Sequence, residues 1–421
     1  MLENNFLFSS DELKIREEAK ELVRSVNPEL IRKMDTGEIE YPFEFLREAA
    51  RRNLLGLRFS REYGGRGLKW THEVVALEEI SVLGAGVGCC YAMPSIVGEA
   101  LSKFGTKEQK ERYLKPLIRG EILSAECLTE PRGGSDFFGT TTTAVKRGRR
   151  YVLNGEKRFI AGGAHADIFL VYARTNLDPG VPGHQALSCF IVEKNMGVKI
   201  GEIYGLLGFR GMGTARIVFK DVEVPEENLI GEEYGGRRIF NQMMIPERLT
   251  SAAGSLGIRA CLELAMKYAD KRKAFGTKIR NFQGVNFKVA ESITKLDAAR
   301  ALVYNAAKAA DLADKNPEEY YYEARRLVSE AKLFATEVAW EIVNNAMQIL
   351  GGIGYTQVYP VERALRDTRL GIIWTGSNEI MKMIIQHEAY RILRKMEVLS
   401  KDRDIELDAV EAYKIAEKVY E

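Results

Sequence analysis

The spacing of hydrophobic residues changes twice along this chain and divides it into three parts. In roughly the first 120 residues, apolar side chains recur every three or four positions, which is typical of amphipathic helices. In the middle part apolar and polar residues alternate, and Asn-Gly, Gly and Pro separate the runs, which predicts β-strands. Long helical patterns then return. We expect an α+β multidomain chain with an all-α domain at 1–121, a β domain at 122–233 and a bundle of long helices at 234–421.

Local signals predict where several helices begin and end. Ser9 and Glu12 have the spacing of a capping box, which predicts that the first helix begins after Ser9. In the last part, breaks at FGTKIRNFQG, DKNPEE and GGIGYTQVYP separate four long helical stretches. The charged segment after Ser400 predicts one further, solvated helix.

Composition restricts the class of function. Of the 421 residues 46% are apolar, and 61 basic against 59 acidic side chains give a net charge of +2, so a nucleic-acid partner is not indicated. No apolar run reaches the roughly 18 residues of a membrane helix, and the first twenty residues lack the pattern of a signal peptide. We therefore expect no membrane span and a cytoplasmic location.

Cysteine and histidine do not form metal-binding or disulfide patterns. The four histidines lie far apart, with no pair at i and i+4, so no metal site is expected. The five cysteines are an odd and scattered set, for which we expect buried thiols: Cys89, Cys90, Cys127, Cys189 and Cys261.

The segment LTEPRGGSDFFGTTTTA, residues 128–144, is unusual for a simple connection. A tight turn needs one Pro or one Gly, whereas this segment combines an acidic residue next to a proline, two adjacent glycines and a run of four threonines. It also stands at the start of the β domain. This composition indicates that a small polar group is held here.

Taken with the segments that follow, this loop resembles the acyl-CoA dehydrogenase family. CLTEPRGGSD is similar to the loop that binds the flavin of FAD in that family. LNGEKRFIAGGAHADIFLV is similar to the family's second flavin-binding segment. GFRGMGTARIVFKDVEVPEENLIG, RKAFGTKIRNFQG, QILGGIGY and IIWTGSNEIM resemble later segments of the family in the same order. The resemblance covers most of the chain and implies an FAD-dependent enzyme.

The resemblance also implies which residues bind FAD. Thr129 would bond the pyrimidine edge of the flavin, Gly134 and Ser135 would face the pyrophosphate, and Phe159 would lie against the ring. The implied set within one subunit is Leu128, Thr129, Gly134, Ser135, Phe159, Ile160, Ala161, Ser377 and Glu379. The implied set that reaches the FAD of a neighbouring subunit is Arg272, Phe275, Gln283, Gln348, Gly351 and Gly352.

Two positions depart from the family pattern around the flavin. Ala161 stands where the family usually has a threonine whose hydroxyl approaches flavin N5, so only backbone contact is expected there. Arg132 replaces the usual glycine after Glu-Pro. We expect its cation either to be a solvated surface charge or to lean towards a phosphate of FAD or CoA.

The catalytic base is displaced from its commonest place. Dehydrogenation of an acyl thioester needs a carboxylate to remove the α-proton, and many members carry that glutamate where this chain has Thr375. The isovaleryl-CoA and long-chain branches carry it instead on the first helix of the bundle, and here MMIPERLTSAAG places Glu247 there. The resemblance implies Glu247 as base and a substrate site formed by Ser135, Arg248, Trp374, Thr375 and Gly376.

The function expected from the resemblance is α,β-dehydrogenation of an acyl-CoA to the 2-enoyl-CoA. The family's pattern further implies a homotetramer that passes its electrons to an electron-transfer flavoprotein. Two alternatives stay open: a flavin monooxygenase or other divergent user of the same fold, and a non-enzymatic homologue that binds nucleic acid. The sequence does not identify the acyl chain.

Overall fold

The structure is a computed structural model that describes residues 5–395, apart from the side chain of Lys395. Its first part is helical, as expected. The predicted capping box is present: Ser9 Oγ accepts the backbone N–H of Glu12, whose carboxylate accepts the N–H of Ser9. The α-helices of this part are α1 (Ser10–Ser25), α2 (Pro28–Thr36), α3 (Phe43–Arg51), α4 (Trp70–Ile80), α5 (Ala85–Phe104), α6 (Lys107–Gln109) and α7 (Lys115–Ile118).

The middle part is a sheet, as the alternating pattern predicts. Its strands are β1 (Ser124–Cys127), β2 (Thr143–Arg147), β3 (Arg150–Ile160), β4 (Ile168–Arg174), β5 (Leu187–Glu193), β6 (Lys199–Ile203), β7 (Ala215–Pro225) and β8 (Leu229–Ile230). Within the described residues they pair in the order β6-β7-β3-β2-β4-β5-β8, and β1 pairs parallel to β4.

Alternation along the strands divides the hydrophobic core in two. On β4, Ile168 and Leu170 pack with the helices, whereas Phe169 and Val171 point to a second core on the opposite face of the sheet. This follows from the two-residue period of a strand. The helical parts therefore pack against one face of the sheet.

The last part consists of long helices around a common core. They are α8 (Gly236–Ser255), α9 (Arg259–Lys271), α10 (Gln283–Lys315), α11 (Pro317–Leu350), α12 (Val361–Gly371) and α13 (Asn378–Lys395). A short hairpin of β9 (Lys273–Ala274) and β10 (Thr277–Lys278) joins α9 to α10.

The expectation of four long helical stretches was wrong at two places. The first stretch is interrupted at Leu256–Ile258, where Gly257 packs so closely that a Cβ would come within 2.5 Å of the Ser81 backbone. The last stretch is interrupted at residues 372–377, where Thr375 and Gly376 both have positive φ, a conformation that a right-handed helix cannot continue through. The helix expected after Ser400 lies outside the described residues.

A cluster of buried charges joins the first helical part to the last. Glu78 on α4 accepts from Arg300 Nε and Nη2 on α10, at 3.0 and 2.9 Å, and from the Tyr304 hydroxyl at 2.9 Å. Beside it, Glu79 accepts from Arg16 Nε on α1 at 2.7 Å. The carboxylates and guanidiniums of these pairs are at most 2% exposed, so each charge depends on its partner rather than on water.

Two further expectations concern burial and membranes. All five cysteines are free and buried, as the scattered pattern predicted. Among the described helices, none is long and apolar enough to cross a membrane.

We expect Glu78→Gln to lower the free energy of unfolding by about 3–5 kcal/mol, because it removes the fully buried carboxylate that pairs with Arg300 and leaves that guanidinium with only the 43% exposed Asp297. Glu17→Gln is the matched control, since Glu17 is 58% exposed in its pair with Lys20 and its loss should change that free energy by less than about 1 kcal/mol. Denaturant unfolding measures both, and equal midpoints would contradict the expectation.

Candidate active site

A cavity of about 980 Å³ lies where the sheet meets the helices. Its volume is at the upper end of the range for small-molecule sites. Residues of α5, α8 and α12 line the cavity, together with residues of the loops that follow β1, β3 and α12. The structure brings to it most of the residues proposed from the sequence, namely Leu128, Thr129, Gly134, Ser135, Phe159, Ile160, Ala161, Glu247, Arg248, Trp374, Thr375, Gly376 and Ser377.

The buried side chain of Glu130 fixes the conformation of the loop after β1. Its carboxylate is 3% exposed and lies 2.9 Å from Nζ of Lys157, which is fully buried. It also accepts the N–H and hydroxyl of Thr141, both at 2.6 Å, and the N–H of Thr142 at 3.0 Å. Burial raises the pKa of Glu130, but the Lys157 charge and these hydrogen bonds outweigh burial and hold that pKa at about 2. The acid and the threonines of this segment therefore fix its conformation, which leaves Thr129 and Ser135 free to meet a ligand.

The end of β3 presents an aromatic ring to the cavity. Phe159 has a φ of +56°, at a point where the pairing of β3 with β7 shifts register. Its side chain is 49% exposed. The preceding residue, Arg158, donates its N–H to the carbonyl of Thr129 at 2.8 Å, which ties this turn to the loop after β1. A flat ligand can therefore contact a ring and polar backbone at the same place.

The loop between α12 and α13 leaves polar atoms without partners. Trp374 Nε1 and Thr375 Oγ1 are buried and have no hydrogen-bond partner among the described residues. Behind the loop, Lys332 on α11 donates to the carbonyl of Gly376 and to Oδ1 of Asn378, both at 2.8 Å. Buried polar atoms are rarely left unsatisfied, so Trp374 and Thr375 point to a ligand in this wall.

Glu247 and Arg248 lie side by side on α8 in the cavity wall and are 6% and 2% exposed. Burial raises the pKa of Glu247, and a hydrogen bond from Glu126 and the Arg248 charge oppose the increase. Arg248 donates from Nη1 to Ser329 Oγ at 3.0 Å. Burial and the nearby Arg325 charge lower the pKa of Arg248 to about 10. Glu247 is therefore a buried carboxylate in a largely apolar wall, and Arg248 is its adjacent countercharge.

Sequence reasoning missed Glu126, which also lines the cavity. It stands on β1, where its neighbours Ala125 and Cys127 point into the second core and Glu126 therefore faces the helices. The Tyr172 hydroxyl donates to its Oε1 at 3.3 Å. Burial, followed by the charge and hydrogen bond of Glu247, raises the pKa of Glu126 well above its usual value. The available sequence signal was an acidic residue between two small apolar residues that point to the other face of the strand.

Some proposed residues do not line the cavity. Glu379 is exposed on the first turn of α13, away from the lining. The others are exposed on two segments, one around the β9–β10 hairpin and one at the end of α11: Arg272, Phe275, Gln283, Gln348, Gly351 and Gly352. Phe275 is 96% exposed. The contact of these two segments with a neighbouring subunit's FAD stays a prediction.

Arg132 has a partner within its own loop. Its guanidinium pairs with the Asp136 carboxylate, and the two side chains are 44% and 64% exposed. The structure therefore places it as a surface charge, the first of the two roles considered for it.

Domain models of one family match the chain along most of its length. They are the N-terminal domain of acyl-CoA dehydrogenase at residues 9–121, the middle domain at 125–222 and the C-terminal domain at 235–390. The chain belongs to the acyl-CoA dehydrogenase family, whose members are FAD-dependent oxidoreductases.

Individual relatives agree with this assignment. The chain is 40% identical over 349 residues to an acyl-CoA dehydrogenase of Bacillus subtilis, covering 82% of this chain and 89% of that protein. It is 39% identical over 350 residues to a subunit of the caffeyl-CoA reductase-Etf complex of Acetobacterium woodii, covering 82% and 89%. The structure of butyryl-CoA dehydrogenase from Megasphaera elsdenii matches with a TM-score of 0.85 at 32% identity, over 91% of this chain and 99% of that one.

The cavity fits the cofactor of this family. FAD presents a pyrophosphate, hydroxyls and a flat ring with donors and acceptors on its edge. Thr129 and Ser135 offer hydroxyls, and Trp374 and Thr375 offer the buried polar atoms that lack partners among the described residues. At Gly134 a Cβ would approach Thr129 Oγ1 to 3.3 Å, so the bare glycine backbone keeps that hydroxyl accessible.

No group of three or more His, Cys, Asp or Glu side chains that could hold a metal ion occurs among the residues that the structure describes.

We expect Glu130→Gln to destabilise the protein by about 3–5 kcal/mol at pH 7 and to lower its FAD content, because Lys157 would be left buried without a countercharge. The depressed pKa of about 2 stabilises the folded state above the unfolded value of about 4.3, so the difference from wild type should shrink as pH falls between these values. Denaturant unfolding at several pH values measures it.

Glu156→Gln is the matched control for that experiment. Glu156 precedes Lys157 on β3, but its pair with Arg216 is 36% and 41% exposed and should contribute less than about 1 kcal/mol. Equal stability of the two variants at pH 7 would show that the buried pair does not hold the loop.

Proposed function

We propose that this protein catalyses α,β-dehydrogenation of an acyl-CoA thioester to the 2-enoyl-CoA, with Glu247 as the base that removes the α-proton. The observation that carries the proposal is the position of Glu247, buried in the wall of the same cavity that the loops after β1 and β3 border. FAD, when bound there, accepts the β-hydrogen as hydride. Removal of both hydrogens leaves the double bond.

The surroundings of Glu247 suit a general base. A base is most effective when its pKa lies near the working pH, and burial raises the pKa of Glu247 towards that range. The Arg248 guanidinium keeps the ionised form accessible by opposing that increase. Thr375 cannot take this role, because a hydroxyl is not a base near neutral pH.

Apolar side chains suit the rest of the cavity to an acyl chain. Met93 and Ile96 on α5, and Phe240 and Met244 on α8, line it near Glu247. A fatty chain gains about 0.8 kcal/mol for each buried methylene on such a surface. Ser135 and the 374–376 segment remain the candidate contacts for the thioester and CoA. Arg248 donates from Nη1 to Ser329, but its buried Nε has no partner among the described residues, so it also remains a candidate substrate contact.

The proposed assembly is a homotetramer that passes electrons to an electron-transfer flavoprotein. The exposed residues of the β9–β10 hairpin and of the segment after α11, including Phe275 at 96% and Tyr355 at 83% exposure, support contact with other subunits. One relative is a subunit of an Etf complex, which supports the electron acceptor. The cytoplasmic location stays a prediction from the sequence.

A panel of straight, branched and alicyclic CoA thioesters tests the proposal, with bleaching of the bound flavin under anaerobic conditions as the measurement. Bleaching by members of the panel supports dehydrogenation and identifies the acyl class. A flavin that no thioester bleaches, in a protein that instead consumes oxygen with another substrate or binds DNA in a salt-dependent manner, would support one of the two alternatives.

We expect Glu247→Gln to slow single-turnover bleaching by about 10²–10⁴-fold while FAD and acyl-CoA still bind, because the amide keeps the shape and loses the basicity. Glu156→Gln makes the same chemical change at an exposed position and should bleach at the wild-type rate. Wild-type bleaching by Glu247→Gln would remove the assignment of the base.

We expect Arg272→Glu to reduce both the FAD content and the mass of the protein in solution, since it reverses a cation proposed to face a pyrophosphate across a subunit boundary. Lys199→Glu is the control, because it is the same reversal on the exposed edge strand β6. Light scattering and flavin absorbance measure the outcome, and unchanged values for Arg272→Glu contradict the proposed contact.

A further inference from the structure

The carboxyl groups of Glu126 and Glu247 meet in the cavity from opposite sides. Glu126 comes from β1 in the sheet, and Glu247 comes from α8 in the last helical part. Both line the cavity, and their side chains are within hydrogen-bonding contact. A hydrogen bond between two carboxyl groups requires a proton on one of them.

Aromatic rings from the sheet, from the loop after β1 and from α8 pack beside this pair. Tyr172 donates to Glu126 at 3.3 Å, and its ring meets Phe137 edge-on at 5.1 Å between centroids. Phe137 stacks on Phe240 at 3.9 Å. Two carboxylates in such surroundings cannot both be ionised near neutral pH, so the pair holds one proton.

The charges that face the pair decide which carboxyl keeps the proton. On the helix side, the Arg248 guanidinium favours the ionised form of Glu247. Behind Arg248, Arg325 on α11 is paired with the Glu388 carboxylate at 3.1 Å. On the sheet side the nearest titratable neighbours of Glu126 are the Tyr172 hydroxyl and the thiols of Cys127 and Cys189, which are neutral near neutral pH. The Lys157 cation beyond those thiols is paired with the Glu130 carboxylate, so its charge is offset. The cation is next to Glu247, so the proton belongs on Glu126.

We propose that Glu126 is a positioning residue for the base: its protonated carboxyl donates a hydrogen bond to the Glu247 carboxylate and holds that carboxylate ionised at the cavity wall. The proposal rests on the proposed role of Glu247. When Glu247 takes the α-proton, Glu126 keeps its own, and both groups are then neutral. The electron pair of the broken Cα–H bond forms the double bond, and the negative charge leaves the substrate with the β-hydride, which FAD would accept. The two-carboxyl site is therefore never doubly negative during the reaction.

Two substitutions separate the hydrogen bond from the shape of the side chain. Glu126→Gln keeps an N–H donor towards Glu247, so the acid limb of the pH profile for single-turnover bleaching should stay within about half a unit of wild type. Glu126→Leu fills the same space without a donor, so that limb should move to higher pH by about one unit or more. At a fixed pH below the limb, the Leu variant should then bleach about tenfold more slowly.

Cys127→Ala is the matched control, since Cys127 is the next residue on β1 and points into the opposite core. It should leave the pH profile unchanged. An acid limb that does not move in Glu126→Leu overturns the proposal, and a limb that moves to lower pH shows that Glu126 is the anion and Glu247 the acid, which also overturns it.

An infrared difference spectrum gives a second readout if Glu126→Leu fails to retain FAD. Wild type at neutral pH should show the C=O band of a protonated carboxyl that shifts when acyl-CoA binds, and Glu126→Gln should lack that band. Its presence in Glu126→Gln overturns the proposal. If Glu247 is not the base, Glu247→Gln will bleach the flavin at the wild-type rate. That result is independent of the Glu126 variants, so it distinguishes failure of the base assignment from failure of this proposal.

Discussion

The buried ion pair of Glu130 and Lys157 is the interaction on which the site depends. Lys157 is on β3 and also donates to the carbonyl of Leu128 at 3.3 Å, so the pair joins the loop after β1 to the strand that ends in Phe159. This pair, together with the Arg158–Thr129 hydrogen bond, therefore joins the two segments that carry the predicted cofactor residues. A buried charge without its partner is costly, and this confines the loop to the conformation in which the pair is made.

Local patterns made the three-part architecture predictable. The capping box at Ser9 and the change of period depend on residues close together in the chain, and both were confirmed. The two unexpected helix interruptions depend instead on distant contacts. Gly257 lies in the 3-10 turn between α8 and α9, where Ser81, from another part of the chain, occupies the space that a side chain would take. Thr375 takes a left-handed conformation in a loop that Lys332 holds through Gly376.

The candidate site was predictable only where it is contiguous in sequence. Thr129, Ser135 and Phe159 stand in segments that resemble a family, and the structure brings them to one cavity. Glu247 was proposed from that resemblance, because the spacing of residues on α8 does not distinguish a base from a paired surface acid. Glu126 was missed because a strand of four residues gives too short an alternation to show that its acid faces inwards.

The placement of charge around the cavity supports the proposed role of Glu247 as the base among several ionisable groups. The helix side carries the cation Arg248 and the ion pair of Arg325 with Glu388. The sheet side carries the neutral Tyr172 hydroxyl and the ion pair of Lys157 with Glu130. Glu247 lies on the helix side of this division and Glu126 on the sheet side. Because the low-dielectric wall strengthens each of these interactions, a difference of one adjacent cation is enough to localise the negative charge. In the proposed arrangement, the contact between sheet and bundle determines which carboxyl is ionised, and neither domain alone contains both carboxyl groups.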